Sequence, residues 1–276
     1  MDVKVSIQGF EGSFHQEAAR RFYGKSVGVI PCATFRELVQ VAADKSRSSG
    51  GVMAIENSIA GSILPNYTLL QKSPLRIKGE VYLKIRQNLL VNPGVKLEDI
   101  REVHSHPMAL LQCADYLDAK GWKIVETEDT ALSAKHVHRS GSKHIAAIAS
   151  ELAAKLYGLD QLARGIQTTK NNYTRFLVLQ HGDDGESVAG ANKASVNFET
   201  DHSRGSLAKV LTAVAKEGVN LSKLQSFPIP SDEWKYSFHA DMEFAELAQF
   251  EKTLKKMKAL SRMVRVYGIY KNGKTI

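Results

Sequence analysis

The sequence contains few cysteines. Only Cys32 and Cys113 occur among its 276 residues, too few for the disulfide framework of a small secreted domain. Both lie in apolar or helical patterns, so we expect buried thiols rather than a disulfide. No run approaches the roughly eighteen consecutive apolar residues of a membrane helix, and the first residues alternate like a strand instead of forming a secretory signal. These absences predict a cytoplasmic protein that does not enter a membrane.

The motifs of several common protein classes are also missing. There is no helix-turn-helix, zinc finger or aromatic–basic repeat, and no Walker loop, Ser-His-Asp order or paired-carboxylate motif. His104 and His106 could suggest a metal pair, but no carboxylate or further histidine stands at ligand spacing. The net charge of +8 would permit an acidic partner, yet the basic residues are scattered. We therefore expect neither a metal nor a nucleic-acid partner.

Strand and helix patterns alternate over the first two-thirds of the chain. Strand patterns at 3–7, 27–31 and 51–56 are separated by helix patterns that begin at Ser13 and Thr34. This order implies largely parallel sheets. A second alternating set begins near residue 103 and includes one long helix predicted from Pro107 to Ala119. A strand-like segment at 77–91 would carry the chain from the first set to the second, and the chain would return through residues 162–167. The two sets would then form two lobes, and a cleft between such lobes is a common place for a small ligand.

The pattern restarts after a polar, glycine-rich stretch at 182–192. From residue 194 to 270 the elements follow the order β-α-β-β-α-β, which is the ferredoxin-like plan. The sequence therefore predicts two domains, at 1–181 and 192–276.

Two turns in the first lobe are rich in hydrogen-bond donors. Gly12 and Ser13 lie between a strand and a helix, where free backbone N–H groups and the helix dipole favour an anion. A second turn follows a buried strand in the same way and carries Asn57, Ser58, Gly61 and Ser62. Each turn alone could equally be a structural turn or a helix cap. Together they favour a wall that binds an oxyanion.

Thr174 and Arg175 place a hydroxyl and a guanidinium next to each other at the start of a predicted strand, just before the apolar run Leu177-Val178-Leu179. Arg175 could bind a carboxylate at two points, and Thr174 offers a neutral donor that is stiffened by β-branching. Neighbouring strand residues face opposite sides of a sheet, so both need not reach one ligand. Ser105 and His106 place a further hydroxyl and imidazole at a strand-to-helix junction. For all four residues, packing or a simple structural hydrogen bond remains the alternative.

Together these motifs resemble those of prephenate dehydratases followed by an ACT regulatory domain. The resemblance covers nearly the whole chain and rests on Gly9 to Ser13, Glu56-Asn57-Ser58 with Gly61-Ser62, Ser105-His106-Pro107 with Gln112-Cys113, and Asn172-x-Thr174-Arg175-Phe176. No chorismate mutase helical region precedes these motifs, so the monofunctional form is expected. The implied fold is α/β: a two-lobed catalytic domain like the type II periplasmic binding proteins, and a ferredoxin-like βαββαβ ACT domain. Lobe one would comprise about 1–78 and 163–181, and lobe two about 79–162.

The resemblance implies the conversion of prephenate to phenylpyruvate in phenylalanine biosynthesis, without metal or organic cofactor. Arogenate dehydratase and a non-catalytic amino-acid or keto-acid sensor of the same fold are the alternatives. Thr174 would donate to the leaving hydroxyl, and Arg175 would hold a carboxylate or brace the pocket. The implied substrate-binding residues are Gly12, Ser13, Asn57, Ser58, Gly61, Ser62, Ser105, His106, Asn172 and Phe176.

In ACT domains an amino acid binds between copies of the domain, so the resemblance implies a homodimer or homotetramer with L-phenylalanine as a possible effector. The implied effector-binding residues are Gly205, Leu207, Ala208, Asn220 and Leu221. The chain departs from the family where Glu-Ser-Arg-Pro is common, because it has Gln225-Ser226-Phe227-Pro228 instead. Both charged side chains of that motif are therefore replaced.

Overall fold

The computed structural model describes residues 3–182, 187–201, 203–229 and 235–273. The chain divides into two compact units, the first made of Met1–Pro74 with Val81–Val178 and the second of Leu75–Glu80 with Leu179–Ile276. Residues 183–186 of the expected linker lie outside the described residues. The domain boundaries inferred from the sequence stay a prediction. Among the residues that the structure describes, no helix combines the length and apolar character that a bilayer crossing requires.

The first lobe contains β1 Lys4–Gln8, α1 Phe14–Tyr23, β2 Gly28–Cys32, α2 Phe35–Ala43, β3 Gly51–Asn57, β4 Gly61–Ser62, α3 Leu64–Lys72, β5 Arg76–Lys84 and β11 Tyr173–Gln180. Its sheet has the order β2-β1-β3-β11-β5, and β4 pairs with β3. Strand β1 pairs in parallel with both β2 and β3, as the alternating pattern predicts. The first residues of β5 and the last two of β11 belong to the second unit.

The helix starts of the first lobe follow from its sequence. The hydroxyl of Ser13 accepts a hydrogen bond from the backbone N–H of Gln16, and Thr34 does the same for Glu37. On one face of the sheet, buried apolar residues of β1, β3, β5 and β11 pack against Ala18 and Ala19 of α1. This packing fixes α1 so that its N-terminus lies beside the ends of the strands.

The second lobe contains β6 Asn88–Val91, a 3₁₀ helix Leu97–Asp99, β7 Glu102–Ser105, α4 Pro107–Gln112, α5 Ala114–Asp118, β8 Lys123–Glu126, α6 Thr130–Ser140, β9 Ile145–Ala149, α7 Glu151–Tyr157 and β10 Asp160–Ala163. Its sheet has the order β10-β6-β9-β7-β8. Strand β7 is parallel to β8 and β9, whereas β6 runs antiparallel to β9 and β10. Helices α4 and α5 cover one face and α6 and α7 the other.

The second lobe differs from the sequence prediction at two points. The single helix expected from Pro107 to Ala119 is divided at Cys113, whose ψ of 13° leaves the helical region. The break turns the chain so that Leu110 and Leu117 both reach the core. Strand β10 was not predicted, because its pairing with β6 is not visible in local periodicity. The prediction of two buried thiols is confirmed, and burial raises the pKa of Cys32 to about 11 and that of Cys113 to about 12.

The second unit contains β12 Lys193–Glu199, α8 Ser206–Lys216, β13 Asn220–Pro228, β14 Tyr236–Glu243, α9 Leu247–Leu260 and β15 Met263–Tyr270. These elements follow the predicted βαββαβ order and form an antiparallel sheet, β13-β14-β12-β15. Val196, Phe198 and Met242 pack with Val210 of α8 and Phe250 of α9. The predicted fold class is therefore confirmed: mixed α/β architecture with two sheet-based lobes and a ferredoxin-like unit.

The second unit also contains a buried ion pair. The Nζ atom of Lys193 lies 2.9 Å and 3.1 Å from the two carboxylate oxygens of Glu80. The backbone N–H of Gly273 donates to the same carboxylate. Both charged side chains are almost completely buried, so the pair must satisfy its charges internally.

Candidate active site

Asn57, at the end of β3, is held in one orientation by its own loop. Its Oδ1 atom accepts hydrogen bonds of 2.9 Å from the backbone N–H groups of Ile59 and Ala60. An oxygen must therefore occupy this side of the amide, since the alternative would place two donors against each other. The Nδ2 group consequently points away from the loop, towards the start of β11.

The Nδ2 group of Asn57 binds two further residues that the sequence had marked for the site. It lies 2.7 Å from Asn172 Oδ1 and 3.0 Å from Thr174 Oγ1. Asn172 is fully buried, and its own Nδ2 group donates to Gln112 Oε1 of α4 in the second lobe at 3.0 Å. A continuous amide chain therefore runs from one lobe to the other and ends on the Thr174 hydroxyl.

Thr174 uses its oxygen but not its proton in this network. Because Asn57 is the donor, the Thr174 hydroxyl acts as the acceptor and keeps its own O–H for another partner. Within the described ranges, no protein acceptor for this proton is found. Thr174 retains 9% exposure. Its hydroxyl can therefore serve as a positioned donor.

Arg175 lies on the opposite face of β11 from Thr174, as alternation along a strand requires. Its Nη1 atom is 3.9 Å from Glu56 Oε2, and its guanidinium stands 6.0 Å from the centre of the Tyr82 ring. The side chain is buried. Phe176 returns to the Thr174 side but packs in the core, with its ring edge-on to His15 at 5.0 Å. The geometry thus gives Arg175 and Phe176 contacts that hold the strand, and their predicted contact with substrate stays a prediction.

The loop at Gly9 to Ser13 touches the second lobe. The hydroxyl of Ser150, which caps α7, donates to the Gly12 carbonyl at 2.5 Å, and Tyr157 donates to the Glu11 carbonyl at 2.8 Å. Gly12 has a φ of +91°, and a Cβ there would lie 3.0 Å from the Cα of Ala153. Glycine is therefore needed both for the backbone conformation and for the approach of the lobes.

The remaining predicted site residues have mainly structural partners. The hydroxyl of Ser105 is fully buried and donates to the Ile148 carbonyl at 2.7 Å. His106 caps α4 by accepting from the Met108 N–H through Nδ1. Ser58 bonds to the backbone of residues 171 and 173, and Gly61 and Ser62 form β4 beside β3. These contacts assemble the loops around Thr174, while substrate binding by these residues stays a prediction.

Asp129 is a candidate that was not among the residues predicted for the site. Its Oδ1 atom caps α6 by accepting from the Leu132 N–H. Its Oδ2 atom faces the Gly9 backbone of the first lobe, where an added Cβ would lie only 2.5 Å away. Burial raises the pKa of this carboxyl, although its backbone hydrogen bonds and nearby His106 oppose the rise. Gln112 was likewise seen only within a motif, because its bond to Asn172 spans 60 positions.

The residues predicted to bind an effector lie at two separate places in the second unit. Gly205, with a φ of +77°, begins α8, and Leu207 and Ala208 lie in its first turn. Asn220 and Leu221 begin β13, after the opposite end of that helix. Eleven helical residues at 1.5 Å each separate the two groups by about 16 Å. One chain therefore does not bring all five residues to a single small ligand.

Comparison with known proteins agrees with this architecture. The family model described as prephenate dehydratase matches residues 5–184. The bifunctional chorismate mutase/prephenate dehydratase of Aquifex aeolicus is 36% identical, covering 97% of this chain and 73% of its own. Arogenate dehydratase 2 of Petunia hybrida is 35% identical, covering 97% and 71%.

Two solved structures are similar over almost the whole chain. The prephenate dehydratase of Arthrobacter aurescens in complex with L-Phe has a TM-score of 0.85 and 26% identity, covering 98% of this chain and 90% of its own. GqqA, described as a novel type of quorum quenching acylase, has a TM-score of 0.88 and 29% identity, covering 98% of both chains. The family match and the identity to curated relatives together show that this chain belongs to the prephenate dehydratase family, whose members are lyases.

Proposed function

We propose that this protein converts prephenate to phenylpyruvate in phenylalanine biosynthesis, with the Thr174 hydroxyl as the donor to the leaving group. The observation that carries the proposal is the hydrogen bond from Asn57 to Thr174. The Ile59 and Ala60 N–H groups orient the Asn57 amide, so Asn57 is the donor and Thr174 the acceptor in this bond. The threonine proton is thereby left for a substrate oxygen.

The reaction requires help at two bonds. The ring carboxylate leaves as carbon dioxide, and the electron pair of the broken C–C bond moves into the ring. The hydroxyl on the opposite ring carbon then leaves and takes up one proton, so that water is formed. Aromatisation drives the reaction, but hydroxide is a poor leaving group, so a donor at that oxygen lowers the barrier. A threonine hydroxyl is a very weak acid, which suits a positioned donor or relay more than the ultimate proton source.

Arg175 supports the site from the other face of the strand. Its position between Glu56 and Tyr82 fixes β11 beside the loop that carries Asn57. Asp129 is a further candidate for the site, because its Oδ2 atom faces the Gly9 backbone of the first lobe and burial raises the pKa of its carboxyl. In this proposal the amide chain from Gln112 to Thr174 completes the site when the lobes are in contact.

The Asn57→Asp variant should lower the turnover number for prephenate by about a hundredfold or more, the scale of a lost positioned donor. The carboxylate can still accept from Ile59 and Ala60, so the loop keeps its cap. It cannot donate to Thr174 or Asn172, and it would accept the threonine proton itself. Steady-state kinetics of phenylpyruvate formation measures the effect.

A matched control for this change is Asn92→Asp. Asn92 also donates two hydrogen bonds through Nδ2, to the carbonyls of Val137 and Ser142 in the second lobe. This control should lose stability without a comparable loss of turnover. Equal turnover losses in the two variants would remove Asn57 from the catalytic arrangement.

Arogenate dehydratase activity is the second candidate function, because one curated relative carries that name at 35% identity. Arogenate has an amino group where prephenate has a keto group, so the two substrates differ outside the bonds that break. The purified full chain should be assayed with each substrate separately. Phenylpyruvate from prephenate supports the proposal, phenylalanine from arogenate alone supports the second candidate, and no product from either supports the sensor alternative.

We further propose that L-phenylalanine regulates the enzyme at a site formed between two copies of the chain, in a homodimer or homotetramer. The separation of Gly205 from Asn220 along α8 supports this, because one copy would supply each group. Backbone groups near Asn220 and Leu221 would hold the ligand in place of the replaced charged motif. Calorimetry with L-phenylalanine, read together with turnover, tests this; an absence of binding heat with unchanged turnover would contradict it.

A further inference from the structure

A groove on the second lobe has no part in the site described above. It encloses about 430 Å³ and is lined by His104, Thr127, Leu132, Ser133, Lys135, His136 and Arg139. Thr127 follows β8 directly, and His104 is the penultimate residue of β7. This α6 groove therefore lies near the carboxyl ends of two parallel strands, the edge at which open α/β sheets commonly bind ligands.

The fold leaves the α6 groove open because β8 is an edge strand. Helix α6 packs its Ala134 and Val137 against Ala147 of β9, one strand further into the sheet than β7. His104 is paired in register with Ala147 and so faces the same side, beside α6. The groove thus has a nearly buried imidazole on its sheet side and a helix as one wall.

The helix wall carries an excess of positive charge. Lys135, His136 and Arg139 follow Leu132 at helical spacing, so they share one side of α6. Within the part of the chain that the structure describes, neither Lys135 nor Arg139, which carry the charge, has an ion-pair partner. The carboxylate of Glu102 is already engaged by His104 and Lys123, at 3.1 Å each. Lys135 and Arg139 stand four residues apart, where like charges destabilise a helix, so a bound anion would offset their repulsion.

Polar groups complete the lining. The imidazoles of His104 and His136 stack with their centres 5.7 Å apart and their planes 11° from parallel. The hydroxyls of Thr127 and Ser133 lie 2.6 Å apart. Arginine and lysine are the side chains that proteins use to bind phosphate and carboxylate groups. We propose that the α6 groove is a second ligand site, which binds a small, multiply charged oxyanion bearing phosphoryl or carboxylate groups between Lys135 and Arg139.

Calorimetric titration of the full chain with pyrophosphate and, separately, with citrate tests this site. The Lys135→Gln/Arg139→Gln variant should bind the better of the two ligands at least about tenfold more weakly, since each charge-assisted hydrogen bond contributes more than a kcal/mol. A preference for pyrophosphate assigns a phosphoryl ligand, and a preference for citrate assigns a carboxylate ligand.

The matched control is Lys252→Gln/Lys255→Gln on α9, which removes the same charge from two exposed lysines. This control should change the affinity by less than about twofold, because neither lysine lines the α6 groove and exposed charges are screened by salt. Equal weakening in both variants would show only a general attraction to a basic protein and would overturn the proposal. Absence of binding to the unaltered chain would also overturn it. Neither measurement depends on dehydratase activity.

Discussion

Thr174→Val should lower the turnover number for prephenate by about a hundredfold or more, the scale of a lost acid or donor. Valine has nearly the shape of threonine and leaves the packing of this largely buried position intact. It cannot donate to the leaving hydroxyl, although the Asn57 amide keeps Asn172 Oδ1 and the Tyr173 carbonyl as acceptors. The Michaelis constant should change much less, because the lost interaction belongs to the transition state.

Two further variants make this result specific. Thr174→Ser restores a hydroxyl at the same place and should recover most of the turnover. Thr253→Val removes another buried threonine hydroxyl, one that donates to the Gln249 carbonyl within α9, and should leave turnover unchanged. Near-normal turnover in a folded Thr174→Val protein would exclude Thr174 from the reaction.

Lys193→Met should lower the local free energy of unfolding of the second unit by about 3–5 kcal/mol, the usual cost of leaving one member of a buried ion pair without its partner. The Glu80 carboxylate would lose both of its contacts with the Lys193 ammonium while it remains buried. Hydrogen exchange of amides in β12 and β14 measures the change, because this method reports the stability of each region separately.

The double variant Lys193→Met/Glu80→Leu distinguishes a buried charge from a loss of packing. Removing both charges should restore much of the stability, since apolar groups of similar volume often replace a buried ion pair without loss. Lys123→Met is a matched control, because Lys123 pairs with Glu102 at the surface; exchange near β7 should not change. If the double variant is no more stable than Lys193→Met, the stability comes from the shape of the lysine rather than from its charge.

The sequence was most informative where chemistry depends on neighbours along the chain. Ser13 and Thr34 cap helices as their local patterns predict. Alternation along β11 also indicated that Thr174 and Arg175 face opposite sides. These features depend on residue type and on a period of two or 3.6 residues, both of which can be read directly.

Contacts between distant segments were less accessible. The sequence marked Asn57, Asn172 and Thr174 for one site, and the structure brings them together through a single amide group. The sequence could not indicate that Gln112 accepts a hydrogen bond from Asn172 and so extends this network, or that the Ser105 hydroxyl donates to the Ile148 carbonyl. Such choices are made by the packing of segments from different parts of the chain, which local periodicity does not report.

The six residues Leu75–Glu80 carry a consequence for any shortened form of the protein. They belong to the second unit although they precede most of the second lobe, and their strand continues directly into the first unit. Gly268 approaches them so closely that an added Cβ would lie 2.0 Å from the Ile77 carbonyl oxygen. A gene fragment that stops before β12 would lack Gly268 and Lys193, which contact this segment at Ile77 and at the Glu80 carboxylate. The C-terminal portion therefore cannot be exchanged by itself between related proteins. A chimaera that replaces it must also replace residues 75–80, which belong to the same unit.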